Sequence, residues 1–112
     1  MLSEKIDAMK DELVAAIQDV VRIPSVGGEP AEGAPYGEGP RKCLDWTLAF
    51  AEKMGFRTTN VDNVAGWAEM GEGDDMVAVL GHLDVVPEGK GWTTDPGGGD
   101  LQDGMVWRRG VP

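Results

Sequence analysis

The stretch "MVAVLGHLDVVP", Met76 to Pro87, decides how the chain is read. Its first part, Met76 to Leu80, is apolar throughout and follows the turn-forming "GEGDD". A short unbroken run of this kind predicts a strand buried on both faces, as at the centre of an α/β sheet. The strand runs into Gly81, then His82, the single histidine of the chain, and Asp84 two places later. Side chains two apart on an extended segment point the same way. His82 and Asp84 are therefore expected to project together while Leu83 turns back into the core. In open α/β sheets ligands bind beyond the carboxyl ends of the strands, which is where this pair falls.

Working outward, Ile6, Met9, Leu13, Ile17, Val20 and Val21 recur at helical spacing and predict an amphipathic helix over 3–21. Ser3 suits its N-cap, Glu4 and Asp7 suit its first turn, and Pro24 forces a stop soon after Arg22. The Gly- and Pro-rich "GGEPAEGAPYGEGP", Gly27 to Pro40, predicts a loop. It reads either as a plain connector or as a functional loop, as long loops in small domains often are. A second helix is predicted from Pro40 to Met54, with Cys43, Thr47, Phe50 and Met54 on one side and Gly55 as its stop. Two strands, Phe56 to Val61 and Val64 to Met70, follow around Asp62-Asn63. Near the end, "DLQDGMVWRRG" carries a hairpin signal with Asp103-Gly104 at the bend. The order is helix, helix, then strands, and it implies an α/β architecture in a single domain of 112 residues.

Composition narrows the function. The formal charge is -10, from 20 acidic and 10 basic residues, so little is available to neutralise phosphates or an anionic lipid surface. Nucleic acid and membrane are excluded as expected partners. The hydrophobic fraction of 41% lies slightly below the usual ~45–50% of globular chains. The N-terminus lacks an apolar core of signal-peptide length, and no run approaches a membrane span. The expected location is the cytoplasm. Cys43 is the single cysteine, which rules out an internal disulfide and reads as a small buried apolar residue. No Gly-x-Gly-x-x-Gly or Walker-type Gly-Lys-Ser/Thr is present, so a nucleotide fold lacks its fingerprint.

The pair His82 and Asp84 carries the chemistry. A neutral imidazole ligates a metal through one nitrogen when something fixes its other N–H, and a carboxylate is the usual fixer. The plainer alternative is a satisfied polar residue at a strand end, with Asp84 as a turn carboxylate accepting backbone N–H bonds.

The longer string "GHLDVVPEGKGWTTDPGGGDLQDGMVWRRG" resembles the di-zinc peptidases and deacylases of the aminoacylase, carnosinase and succinyl-diaminopimelate desuccinylase superfamily, and within it the bacterial PepV-type dipeptidases. The resemblance runs through Gly-His-Leu-Asp-Val-Val-Pro, Gly-Trp-Thr-Thr-Asp-Pro, Asp-Gly and Arg-Gly, and takes in the earlier "RIPSV" and "NVAGWAEMG". It implies the N-terminal portion of a three-layer αβα zinc-peptidase catalytic domain, with the sheet incomplete. It implies that His82 ligates one zinc, and that Asp84 holds the imidazole and supports catalysis. It implies two zinc ions in the parent enzyme, with cobalt or manganese also suited to His and carboxylate donors. The implied substrate is a dipeptide or N-acyl amino acid.

The match departs from the family pattern at its end. The family's metal-bridging aspartate would follow "RRGVP", and the general base, the remaining ligands and the lid domain would come later still. Arg108 stands where the family usually has Gly, and Gly97 where a large apolar residue is common. Two readings follow. In one, residues 1–112 are the N-terminal fragment of a zinc-dependent dipeptidase, inactive alone. In the other, they are a non-catalytic acidic binding domain that retains the ancestral sheet.

Overall fold

The computed structural model describes residues 1–109. Gly110, Val111 and Pro112, where the resemblance ends, lie outside the described residues. The chain is mixed α/β, with three helices and two small antiparallel sheets among the described residues. It forms two compact units. One joins Met1–Ile23 to the segment that begins at Pro87, and the other is Pro24–Val86.

In the first unit the expected single helix is two. Helix α1 covers Leu2–Ala8 and helix α2 covers Lys10–Val21. Met9 lies between them at φ -95 and ψ 0. Its N–H bonds the Ile6 carbonyl at 3.0 Å, tightening the turn to three residues, while its own carbonyl accepts from Leu13 N–H at 2.9 Å. The helix also starts one residue early, so Ser3 stands inside the first turn and is not the N-cap. The apolar stripe is covered only toward its C-terminal end: Ile6, Met9 and Leu13 are exposed, whereas Ile17, Val20 and Val21 are partly covered.

That cover is the turn before strand β3. Gly99 has φ +64, and a Cβ there would come within 2.9 Å of Val21 Cγ2. Only glycine combines that backbone with so close an approach. The Gly99 carbonyl accepts from Gln18 Nε2 at 3.0 Å and the Gly98 carbonyl from Arg22 Nε at 2.7 Å. Strands β3 (Asp100–Gln102) and β4 (Met105–Trp107) form the expected antiparallel hairpin. Both turn residues, Asp103 and Gly104, have positive φ, as a two-residue hairpin loop requires. After β4 the chain turns inward. Arg108 and Arg109 are buried; Arg108 donates to the Ile23 carbonyl at 3.0 Å, and Arg109 pairs with Glu88 at 2.6 Å.

In the second unit, helix α3 (Glu38–Lys53) packs on a hairpin of β1 (Arg57–Val61) and β2 (Ala65–Glu69). The helix begins before the expected Pro40, which costs nothing because first-turn N–H groups have no helical partner. It ends on Gly55 at φ +96, with Gly55 N–H bonding Glu52 O and Phe56 N–H bonding Ala51 O, a Schellman closure. Its buried face is Cys43 and Leu44, with Thr47, Leu48 and Ala51 partly covered. Phe50 and Met54, placed on that face by the periodicity, are exposed instead, and Phe50 stacks on Trp46 at 5.1 Å. The covered arc turns toward the hairpin, where Leu48 lies over Gly66. The β1–β2 turn carries positive φ at Asp62 and Asn63, and the Asn60 side chain holds it, Nδ2 donating to Asn63 Oδ1 and Oδ1 accepting the Asn63 backbone N–H.

The central strand is the main correction. Met76–Leu80 forms no strand and is not buried: Val77 is 97% and Val79 96% exposed. A run apolar on both faces gains its stability from neighbours at both edges and covering layers on both sides. Among the described residues no strand pairs with it. The nearest sheet-like contact is a single parallel bridge further on, between Val26 and Val85.

Two outcomes follow. Changing Val77 and Val79 to Asp should lower the fluorescence of an apolar-surface dye and reduce concentration-dependent association, with the helical circular dichroism unchanged. Gly39→Ala places a methyl group on the Pro24 carbonyl oxygen. Overpacking of this kind costs about 1–3 kcal/mol, to be read from the chemical denaturation midpoint.

Candidate functional site

His82 and Asp84 lie on the segment between the exposed apolar run and Pro87, within the second unit. The structure brings the two side chains together: His82 Nδ1 is 3.3 Å from Asp84 Oδ1 and 3.0 Å from the Asp84 backbone oxygen. Both oxygens only accept. Nδ1 must therefore carry the proton in the neutral ring, which leaves the Nε2 lone pair available to an electrophile or a metal. Both side chains are exposed, 81% for His82 and 72% for Asp84. Packing on the side chains themselves is too slight to hold them, so their mutual placement is set by the backbone that carries them.

That backbone is anchored at one buried residue. Ser25 is 2% exposed, and its hydroxyl donates to the Leu83 carbonyl at 2.8 Å. Its own carbonyl accepts the Val85 N–H at 3.2 Å, which forms the parallel bridge between 26 and 85. The Cys43 thiol of α3 lies 4.0 Å from the same Leu83 oxygen. Ser25 in turn sits where it does because Gly39, in the first turn of α3, lets the Pro24–Ser25 backbone pass at contact distance. In the sequence Ser25 stands out only as part of "RIPSV". Its partner is 58 residues away, and no local pattern announces a contact of that span.

The pair borders a cleft of about 620 Å³ whose lining also includes Leu44 and Leu48 of α3, Trp67 of β2 and Tyr36. A mostly apolar lining with a few polar groups, here Tyr36, Thr47, His82 and Asp84, suits a small ligand that has an apolar part and a polar one. In the sequence Leu44 and Leu48 fall in the predicted helix, Trp67 in a predicted strand and Tyr36 in the loop, and none of them carries a site motif. Among the described residues no group of three or more His, Cys, Asp or Glu side chains is gathered closely enough to hold a metal ion. The donors present fit one imidazole ligand and its carboxylate partner, not a full set. No helix of the described residues is long and apolar enough to cross a membrane.

No family model matches the chain. Individual proteins do. The chain is 45% identical over 104 residues to "Putative dipeptidase YtjP" of Bacillus subtilis (strain 168), an alignment that covers 91% of this chain and 22% of that protein. It is 40% identical over 98 residues to a protein named "Putative dipeptidase" from Staphylococcus aureus (strain USA300), covering 86% of this chain and 21% of the relative. The corresponding protein of strain COL aligns with the same identity and coverage. The chain thus spans about a fifth of the length of the curated relatives it matches.

The single imidazole gives a clean measurement. In 15N spectra at alkaline pH, His82 should favour the Nδ1–H tautomer, and Asp84→Ala should move the ratio toward that of free histidine. An unchanged ratio would mean the carboxylate takes no part in holding the ring.

Proposed function

We propose that these residues are the N-terminal part of the catalytic domain of a zinc-dependent dipeptidase. The proposal extends to the di-zinc peptidase and deacylase superfamily, nearest the PepV-type enzymes, with a three-layer αβα domain as the parent fold. The observation that carries it is the geometry of the pair: an imidazole whose Nδ1 faces only acceptors, beside an apolar cleft, in a chain similar to proteins named as dipeptidases.

In this reading His82 holds one zinc through Nε2, and cobalt or manganese would suit the same donors. Asp84 fixes the ring in the metal-binding tautomer and raises the basicity of Nε2. When bound, zinc supplies Lewis-acid polarisation of the scissile carbonyl and of the attacking water. The walls formed by Leu44, Leu48 and Trp67 receive an apolar side chain of the dipeptide or N-acyl amino acid and keep water from it. A catalytic zinc site takes about three protein ligands. With no such group among the described residues, the 112-residue chain is expected to bind zinc weakly and to hydrolyse no dipeptide.

Joining the chain to the complementary part of the Bacillus subtilis relative should produce both zinc retention and dipeptide hydrolysis. In that chimaera His82→Ala should lower zinc content and abolish turnover together. Asp84→Asn keeps an acceptor but loses the charge that polarises the ring. Changes of this kind cost ~10–100-fold in affinity or activity, and a carboxylate that also serves the reaction costs more. Asp84→Asn should therefore reduce turnover by more than it reduces zinc. Metal analysis beside steady-state kinetics reads both. Full zinc and full turnover in His82→Ala would overturn the assignment.

A further inference from the structure

We propose that Ser25 is the positioning residue of the His82–Asp84 pair, a role that rests on reading the pair as the functional one. The peptide unit that contains the Asp84 carbonyl also contains the Val85 N–H, and that N–H is bonded to the Ser25 carbonyl at 3.2 Å. The preceding peptide unit carries the Leu83 carbonyl, which accepts the Ser25 hydroxyl at 2.8 Å. One residue thus fixes both peptide planes that flank Asp84.

The consequence reaches the imidazole directly. The nearer of the two oxygens that face His82 Nδ1 is the Asp84 backbone carbonyl, at 3.0 Å, and its plane is one of the two that Ser25 holds. Neither His82 nor Asp84 is confined by packing, since both are largely exposed. Ser25 is confined, at 2% exposure, with Gly39 of α3 closing against its backbone. Order therefore passes from the buried serine, through one hydroxyl and one main-chain hydrogen bond, to an exposed pair that would otherwise sample many rotamers. Restricting those rotamers in advance lowers the entropy that ligand or metal capture must offset.

The test uses the full chain and the tautomer of its single histidine. Ser25→Ala deletes the hydroxyl donor and keeps the backbone bond. It should remove the Nδ1–H bias of His82, bringing the ratio to that of Asp84→Ala or beyond, while the amide spectrum of α3 stays dispersed. Ser25→Thr restores a hydroxyl at the same carbon and should restore the bias. A merely structural serine would leave the tautomer ratio unmoved in every folded variant, and that result overturns the proposal. Should Ser25→Ala unfold the unit, Ser25→Cys decides. It is close in size and a weak donor, so loss of the bias supports the role and full retention overturns it. No step of this test involves hydrolysis. A chimaera without turnover leaves the Ser25 result standing, and an unmoved tautomer refutes Ser25 without touching the dipeptidase reading.

Discussion

The hydrogen bond from the Ser25 hydroxyl to the Leu83 carbonyl, with the return bond from Val85 N–H to the Ser25 carbonyl, is the constraint on which the candidate site depends. Each of these hydrogen bonds is worth only about 0.5–1.5 kcal/mol net. Their importance lies in where they are. They join two segments distant in sequence, one leaving the N-terminal helices and one following the apolar run, and they do so at the two peptide units next to Asp84. A buried donor and acceptor left unpaired would cost more than the bonds contribute, so the arrangement is held by the penalty of breaking it as much as by the gain of making it.

Helix α3 supplies the floor against which this happens. Gly39 allows the Pro24–Ser25 backbone to pass at contact distance, Cys43 lies near the same Leu83 oxygen, and Leu44 and Leu48 form one wall of the cleft. The β1–β2 hairpin forms another through Trp67. Regular elements thus line the cleft that the candidate pair borders, while the pair itself sits on irregular chain. In the first unit a different device serves. Gly98 and Gly99 bring bare carbonyls to Gln18 and Arg22, fastening α2 to the turn before the second hairpin.

What could be read from residues alone was mostly local. The two hairpins, the Gly55 stop and the turn at Asp103-Gly104 all follow from short-range chemistry, where a positive φ or a missing side chain has one economical solution. The break at Met9 and the early start of α1 were not legible, since helix ends are set by small differences among competing hydrogen bonds. The exposed sides of Phe50 and Met54 were not legible either. Periodicity defines an apolar arc, and only the position of the hairpin decides which part of it is covered.

The motif His82-Leu83-Asp84 was determined by the sequence, as was the alternation that sends its first and last side chains the same way. Sequence also determined the acidic balance, a formal charge of -10. Tertiary structure alone decided two things. Met76 to Leu80 looks like the middle of a sheet, but a strand is made by its partners, and none pairs with it among the described residues. Ser25 looks like an ordinary residue after a proline, yet folding bonds its hydroxyl to the Leu83 carbonyl, between His82 and Asp84. In both cases the deciding term is a hydrogen bond between residues far apart in the chain, made in one and unmade in the other. Such a bond depends on where two backbones meet and not on the composition of either.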